Sequence, residues 1–184
     1  MTDAGTRLMV AVCEGTGFFR VCGRATAKES GVFKEAAEGL RGQGLGHLVL
    51  DLSRCDSMDS TFIGVLAGLS RRLRTDAAGG GRIELVNLNP LVREQLDNLY
   101  VLELFLLTES AAAPGVGYDR LTARPTDKAE LCRLMLDAHQ TLMAVNPANI
   151  PRFRQVTEYL EQDLRRSGPD SARGANQGPT GGEP

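Results

Sequence analysis

Residues 48–69 read LVLDLSRCDSMDSTFIGVLAGL, and this stretch decides the fold. The apolar run 48–52 has the length and Val/Leu content of a short buried strand. A polar loop, 53–57, follows it. Past Met58-Asp59-Ser60-Thr61, apolar residues recur at helical spacing: Phe62, Leu66, Leu69 and Leu73, with Val65 beside them. The loop therefore joins the C-terminal end of a strand to the N-terminal end of a helix. Free backbone N–H groups and the positive end of the helix dipole gather there. Asp59, Ser60 and Thr61 are each good N-caps. A hydroxyl in that position is also well placed to carry a phosphate.

Working outward, residues 8–13 and 18–22 read as two strands around the turn chemistry of Glu14-Gly15-Thr16-Gly17, an antiparallel hairpin. Residues 28–41 space Val32, Phe33, Ala36, Ala37 and Leu40 on one helical face. Gly42, Gly44 and Gly46 precede the third strand, 47–52. The helix from 60 to 74 ends in Arg71, Arg72 and Arg74, complementary to the negative helix end. After a glycine-rich loop at 75–81, residues 82–87 form a strand. Pro90 opens a helix to about Asn98, and 101–107 form a last strand. The order β-β-α-β-α-β-α-β predicts an α/β fold: a mostly parallel central sheet with one antiparallel N-terminal hairpin and helices packed on it.

The string Met58-Asp59-Ser60-Thr61-Phe62-Ile63-Gly64, set after a strand and a short loop, resembles the STAS family, in particular its bacterial anti-sigma factor antagonists. Those proteins carry Met-Asp-Ser-Ser-Gly-Leu-Gly at a helix start. The resemblance spans roughly residues 7–109 and implies a STAS-like sandwich. It also implies that Ser60 is the phosphoacceptor, with Thr61 the alternative. Met58, Asp59, Ser60, Thr61, Phe62 and Gly64 would then form the partner-binding surface. The implied function is an anti-anti-sigma factor, which sequesters a serine-kinase anti-sigma factor while Ser60 is unphosphorylated and is reset by a serine phosphatase. The alternative is a STAS subunit of a lipid transporter or signalling complex that binds without phosphorylation. Phe62 stands where the family has glycine. It is expected either to fill the core with Leu66 and Leu69 or to serve as a contact beside Ser60. The family's acidic pair after the second strand is missing, since the chain has Gly23-Arg24-Ala25-Thr26 there.

The remaining chain divides as a domain at 1–109, a linker at 110–125, a two-helix extension at 126–166 and a tail at 167–184. Asp127 and Glu130 have capping-box spacing, and Leu131, Leu134, Met135, Ala138 and Leu142 form an amphipathic stripe. Asn146-Pro147 interrupts it. Pro151 opens a second helix carrying Phe153, Val156, Leu160 and Leu164 on one side. Two such helices cannot build an independent core. They are expected to dock on the sheet's helical side, to form a homodimer with a second copy, or to bind a partner. The tail holds five Gly and three Pro in its eighteen positions and is expected to be disordered.

Composition narrows the function classes. With a net charge of −2, few aromatics and no Trp, the chain offers neither a basic field nor a stacking platform for nucleic acid. No run approaches the ~18 apolar residues of a membrane span. The start, MTDAGTRLMVAVC, has too short an apolar segment for a signal peptide, so a cytoplasmic protein without membrane insertion is expected. Cys13, Cys22, Cys55 and Cys132 are too scattered for a metal site and read as small buried hydrophobes, although Cys13 and Cys22 could face each other across the hairpin. His47 and His139 lie near no nucleophile in the sequence and are assigned structural or surface roles. Gly79-Gly80-Gly81 precedes a strand rather than a helix, the wrong order for a phosphate loop. No catalytic residue, metal or cofactor is predicted.

Overall fold

The computed structural model describes residues 6–76, 80–109, 115, 117–122 and 125–166. Strands β1 (Arg7–Cys13) and β2 (Thr16–Ala25) are joined by Glu14-Gly15, whose φ values of 49° and 73° make the tight turn that hairpin twist favours. Then follow α1 (Ala27–Gly42), β3 (His47–Met58), α2 (Ser60–Thr75), β4 (Arg82–Val86) and α3 (Pro90–Asn98). A 3-10 turn, Leu102–Leu104, leads to β5 (Leu106–Thr108) and β6 (Asp119–Leu121). Helices α4 (Lys128–Val145) and α5 (Ile150–Arg166) flank a second 3-10 turn, Pro147–Asn149. The tail at 167–184 lies outside the described residues.

The sheet order is β5-β4-β3-β2-β1-β6. Parallel pairing runs from β2 through β5, and β1 is antiparallel to both its neighbours. The expected α/β architecture is therefore present, with three local differences. First, residues 53–57 are strand rather than loop: β3 continues to Met58, but beyond Asp51 it pairs only with β2, across two register shifts. One-sided pairing at the end of the sheet lets Ser53, Arg54 and Asp56 point into water. Second, the expected strand at 101–107 is a 3-10 turn in its first half. Third, the stretch read as a linker contains β6, which covers the open edge of β1.

One face of the sheet carries Phe19, Val21, Leu48, Leu50, Leu52, Ile83 and Leu85, all nearly inaccessible. Phe33 of α1 meets Phe19 edge-on and Phe62 of α2 at a tilt, each at 5.0 Å between centroids. The other face carries Arg20, which donates from Nε to Asp51 at 2.9 Å and lies 4.3 Å from the centre of the Tyr118 ring. Burial pushes the Asp51 carboxyl up, but bonds from Ser53 N–H, Asn87 and Arg20 outweigh it and hold the group below the ordinary carboxylate value.

Helices α4 and α5 are not a detached appendage. Helix α4 lies across α2, and Ala138 and Leu142 belong to the same buried cluster as the sheet. Of the three expected arrangements for these helices, this is docking within the chain. Cys13 pairs with Thr16 and Cys22 with Arg7, so those two cysteines lie at opposite ends of the hairpin; all four cysteines are free thiols.

Candidate functional site

The site is the corner where β3 ends and α2 begins. Asp59 is extended (φ −88°, ψ 169°) and is the N-cap of α2; Ser60 and Thr61 are its first two helical residues. The Asp59 carboxylate serves two helices. Oδ1 accepts from Phe62 N–H at 2.9 Å, and Oδ2 accepts from Ala27 N–H, the first residue of α1, at 2.8 Å. Asp59 N–H donates to Ala25 O, and Gln95 of α3 accepts from Met58 N–H. Thr26 and Glu29 form a capping box at the start of α1, beside Asp59. Two helix N-termini thus lie side by side, each with a carboxylate near its positive end.

The hydroxyl of Ser60 is partly covered, not exposed. Its Oγ lies 3.0 Å from Nε2 of His139 in α4. His139 is itself 4 % exposed and stacks on Phe153 of α5 at 4.9 Å. Its Nδ1 is buried with no partner among the described residues. A stranded N–H is costlier than a bare acceptor, so the favoured tautomer carries its proton on Nε2 and donates to Ser60. Burial lowers the His139 pKa, and the negative charge of Asp59 opposes this only in part. No carboxylate orients Nδ1, and Asp59 is committed to two backbone N–H groups.

The other sequence-predicted site residues are buried in this conformation. Thr61 is 3 % exposed, Met58 is buried, and Phe62 lies fully in the core against Phe33. Of the two roles expected for Phe62, core filling is the one observed. Gly64 lies against α4: a methyl group built on it would sit 2.7 Å from the carbonyl carbon of Ala138 and 2.9 Å from its Cα. Only a residue without Cβ allows this approach. For His139 the structural role is the one observed; its pairing with Ser60 was not legible, because 79 positions separate the two. The available signal was the small-residue stripe Ser60-Gly64-Gly68, which lets a second helix approach closely. Cys55, at the same corner, is a buried thiol whose pKa is pushed up to about 12, chiefly by burial.

The C-terminal end of a central parallel strand, a helix N-terminus and a hydroxyl thus meet at one corner of an α/β domain. The sequence model described as "Mlab, STAS domain" matches residues 14–104, and the chain carries a STAS-family domain. No curated protein matches the chain. Among solved structures, an anti-sigma factor antagonist from Mycobacterium paratuberculosis is 17 % identical; the match covers 59 % of this chain and 90 % of that one, with a TM-score of 0.50. The unphosphorylated form of SpoIIAA is 20 % identical over 57 % of this chain and 89 % of that one, with a TM-score of 0.47. The phosphorylated form of the Bacillus cell fate determinant SpoIIAA is 20 % identical over 56 % and 91 %, with a TM-score of 0.46. At these identities the likeness is one of fold. Among the described residues no helix is long and apolar enough to cross a membrane.

Proposed function

We propose that this chain works by binding rather than catalysis, as a phosphorylation-switched STAS module of the anti-sigma factor antagonist kind. Ser60 is the phosphoacceptor, a serine-kinase anti-sigma factor is the partner, and a serine phosphatase resets the switch. The observation that carries this reading is the position of Ser60: the first residue of α2, beside the capping Asp59, at the C-terminal end of the central strand. In the kinase reaction Ser60 Oγ would take the γ-phosphoryl group of ATP, releasing ADP, while the hydroxyl proton passes to the kinase. The product adds about −1.5 to −2 charges next to Asp59, which breaks a docked interface by repulsion and desolvation. Incubation of the full chain with a candidate kinase and ATP, followed by mass spectrometry of the peptide spanning 55–71, tests it. The expected result is one phosphoryl group on Ser60, lost in Ser60→Ala. Phosphate on Thr61 instead, or on neither residue with an active cognate kinase, overturns the assignment.

A second reading is favoured by one observation: both hydroxyls are covered, Ser60 by His139 and Thr61 by the core. In it the domain is a STAS subunit of a lipid transporter or signalling complex and binds its partner without phosphorylation. A stable complex with such a partner, unchanged by Ser60→Ala and formed without ATP, would select this reading.

A further inference from the structure

The side of α2 that lies under α4 differs from the side that faces the sheet. Toward the sheet and α1 it presents Phe62, Leu66, Leu69 and Leu73, each fully buried. Toward α4 it presents Ser60, Gly64 and Gly68, and a methyl group built on Gly68 would lie 3.6 Å from the Thr141 side chain. These residues lose little when uncovered, because they carry almost no apolar side chain. The α4 layer is also incompletely sealed. A cleft of about 600 Å³ separates α1 from α4, lined by Lys28, Val32, Glu38, Arg133 and Leu134 among others. Polar ties hold the layer at its margins, among them Lys34 to Asp137 at 3.0 Å, Asn149 to Leu99 O at 2.9 Å and Arg152 to Asn98 O, in addition to the Ser60–His139 bond beneath it. Helices α4 and α5 also have contacts of their own, with Cys132 Sγ donating to Leu160 O and His139 stacked on Phe153.

We infer that α4–α5 is an intramolecular cap seated on the Ser60–Gly64–Gly68 surface, and that a partner reaches this surface only by displacing it. The occupant shows what the surface accepts: a helix whose contact residue is no larger than alanine, bearing a donor that reaches the Ser60 hydroxyl. A partner helix of that chemistry competes directly with α4. The inference rests on the reading above for the identity of the surface, but the existence of the cap is tested without any partner.

Gly64→Ala in the full chain is the decisive variant. In an exposed helix the change is favourable, since alanine is the better helix former; here the new methyl meets the Ala138 backbone. Hydrogen exchange read by mass spectrometry should show peptides of 128–166 exchanging roughly tenfold faster or more, while peptides of β3 and α1 stay within about twofold of the parent, the pattern of a separately opening unit. Gly39→Ala, in a helix position with open space around it, is the control: it should not accelerate exchange in 128–166, and any change in α1 should be a slowing. Lys34→Glu sets like charges against Asp137 at an exposed site and should give a smaller acceleration, again confined to 128–166. It keeps the test alive should Gly64→Ala fold poorly. Unchanged exchange in 128–166, or acceleration spread equally through β3 and α1, overturns the cap and makes α4 an integral layer. If 128–166 loosens as expected and Ser60 still accepts no phosphate from its cognate kinase, the cap stands and the phosphoacceptor reading falls.

Discussion

His139 shows how one side chain joins distant parts of the chain. In the docked state it is buried and bonded to Ser60, and burial sets its pKa below the ordinary histidine value of 6.5. The unfolded or undocked chain therefore binds the proton more readily. Stability contributed by this group is present above about pH 6.5 and declines as pH drops, until the lowered folded value is passed. The charge that faces it is Asp59, which moderates the loss without removing it. Thermal unfolding followed from pH 7.5 to 5 should show a decline that His139→Gln flattens; equal slopes in both proteins would dismiss the mechanism. Phe62 is a simpler case. It is fully buried between Phe33 and the sheet, so Phe62→Ala should cost about 3–5 kcal/mol of folding stability in denaturant titration. A change below about 1 kcal/mol would mean that the site collapses around the vacancy.

At the scale of elements, strands and helices were readable wherever apolar period and turn chemistry coincided. Gly15, Pro90 and the Leu spacing of α2 each pointed to a single local structure. The missed pieces share a physical cause, since each depends on a partner distant in sequence. The polar end of β3 is strand because β2 pairs with it, and β6 is strand because β1 has an open edge. Neither segment has an alternating apolar pattern of its own. The site was half legible for the same reason. Asp59 and Ser60 could be placed at a helix start from sequence, whereas the burial of residues 61–70 on every side requires α4. The outer sheet face supplies a further test. Arg20→Met leaves Asp51, only 7 % exposed at its side chain, with Asn87 and Ser53 as its neutral partners. The loss should be about 1–3 kcal/mol near neutral pH. Because the Asp51 pKa is lowered in the fold, its contribution is present above about pH 4 and fades as acid protonates it. The gap between parent and variant should therefore narrow as pH falls toward 3; a gap independent of pH would assign the loss to packing.

For the whole molecule, the double duty of Asp59 has a mechanical consequence. One carboxylate pins the starts of α1 and α2, so the two helices share a single pivot. Charge placed on the next residue pushes on that pivot, and the push is transmitted along both rods rather than one. Asp59→Ala should accordingly loosen the start of α1 as well as that of α2, though less, because α1 keeps its Thr26–Glu29 capping box. In amide NMR spectra, the signals of Ala27 and Lys28 should shift alongside those of Thr61 and Phe62, both in this variant and in Ser60→Glu. Shifts restricted to α2 would mean that the helices are uncoupled. With coupling, an event at one hydroxyl is felt at Phe33, where α1 meets the aromatic centre of the core, and the domain answers as a lever rather than as a local patch.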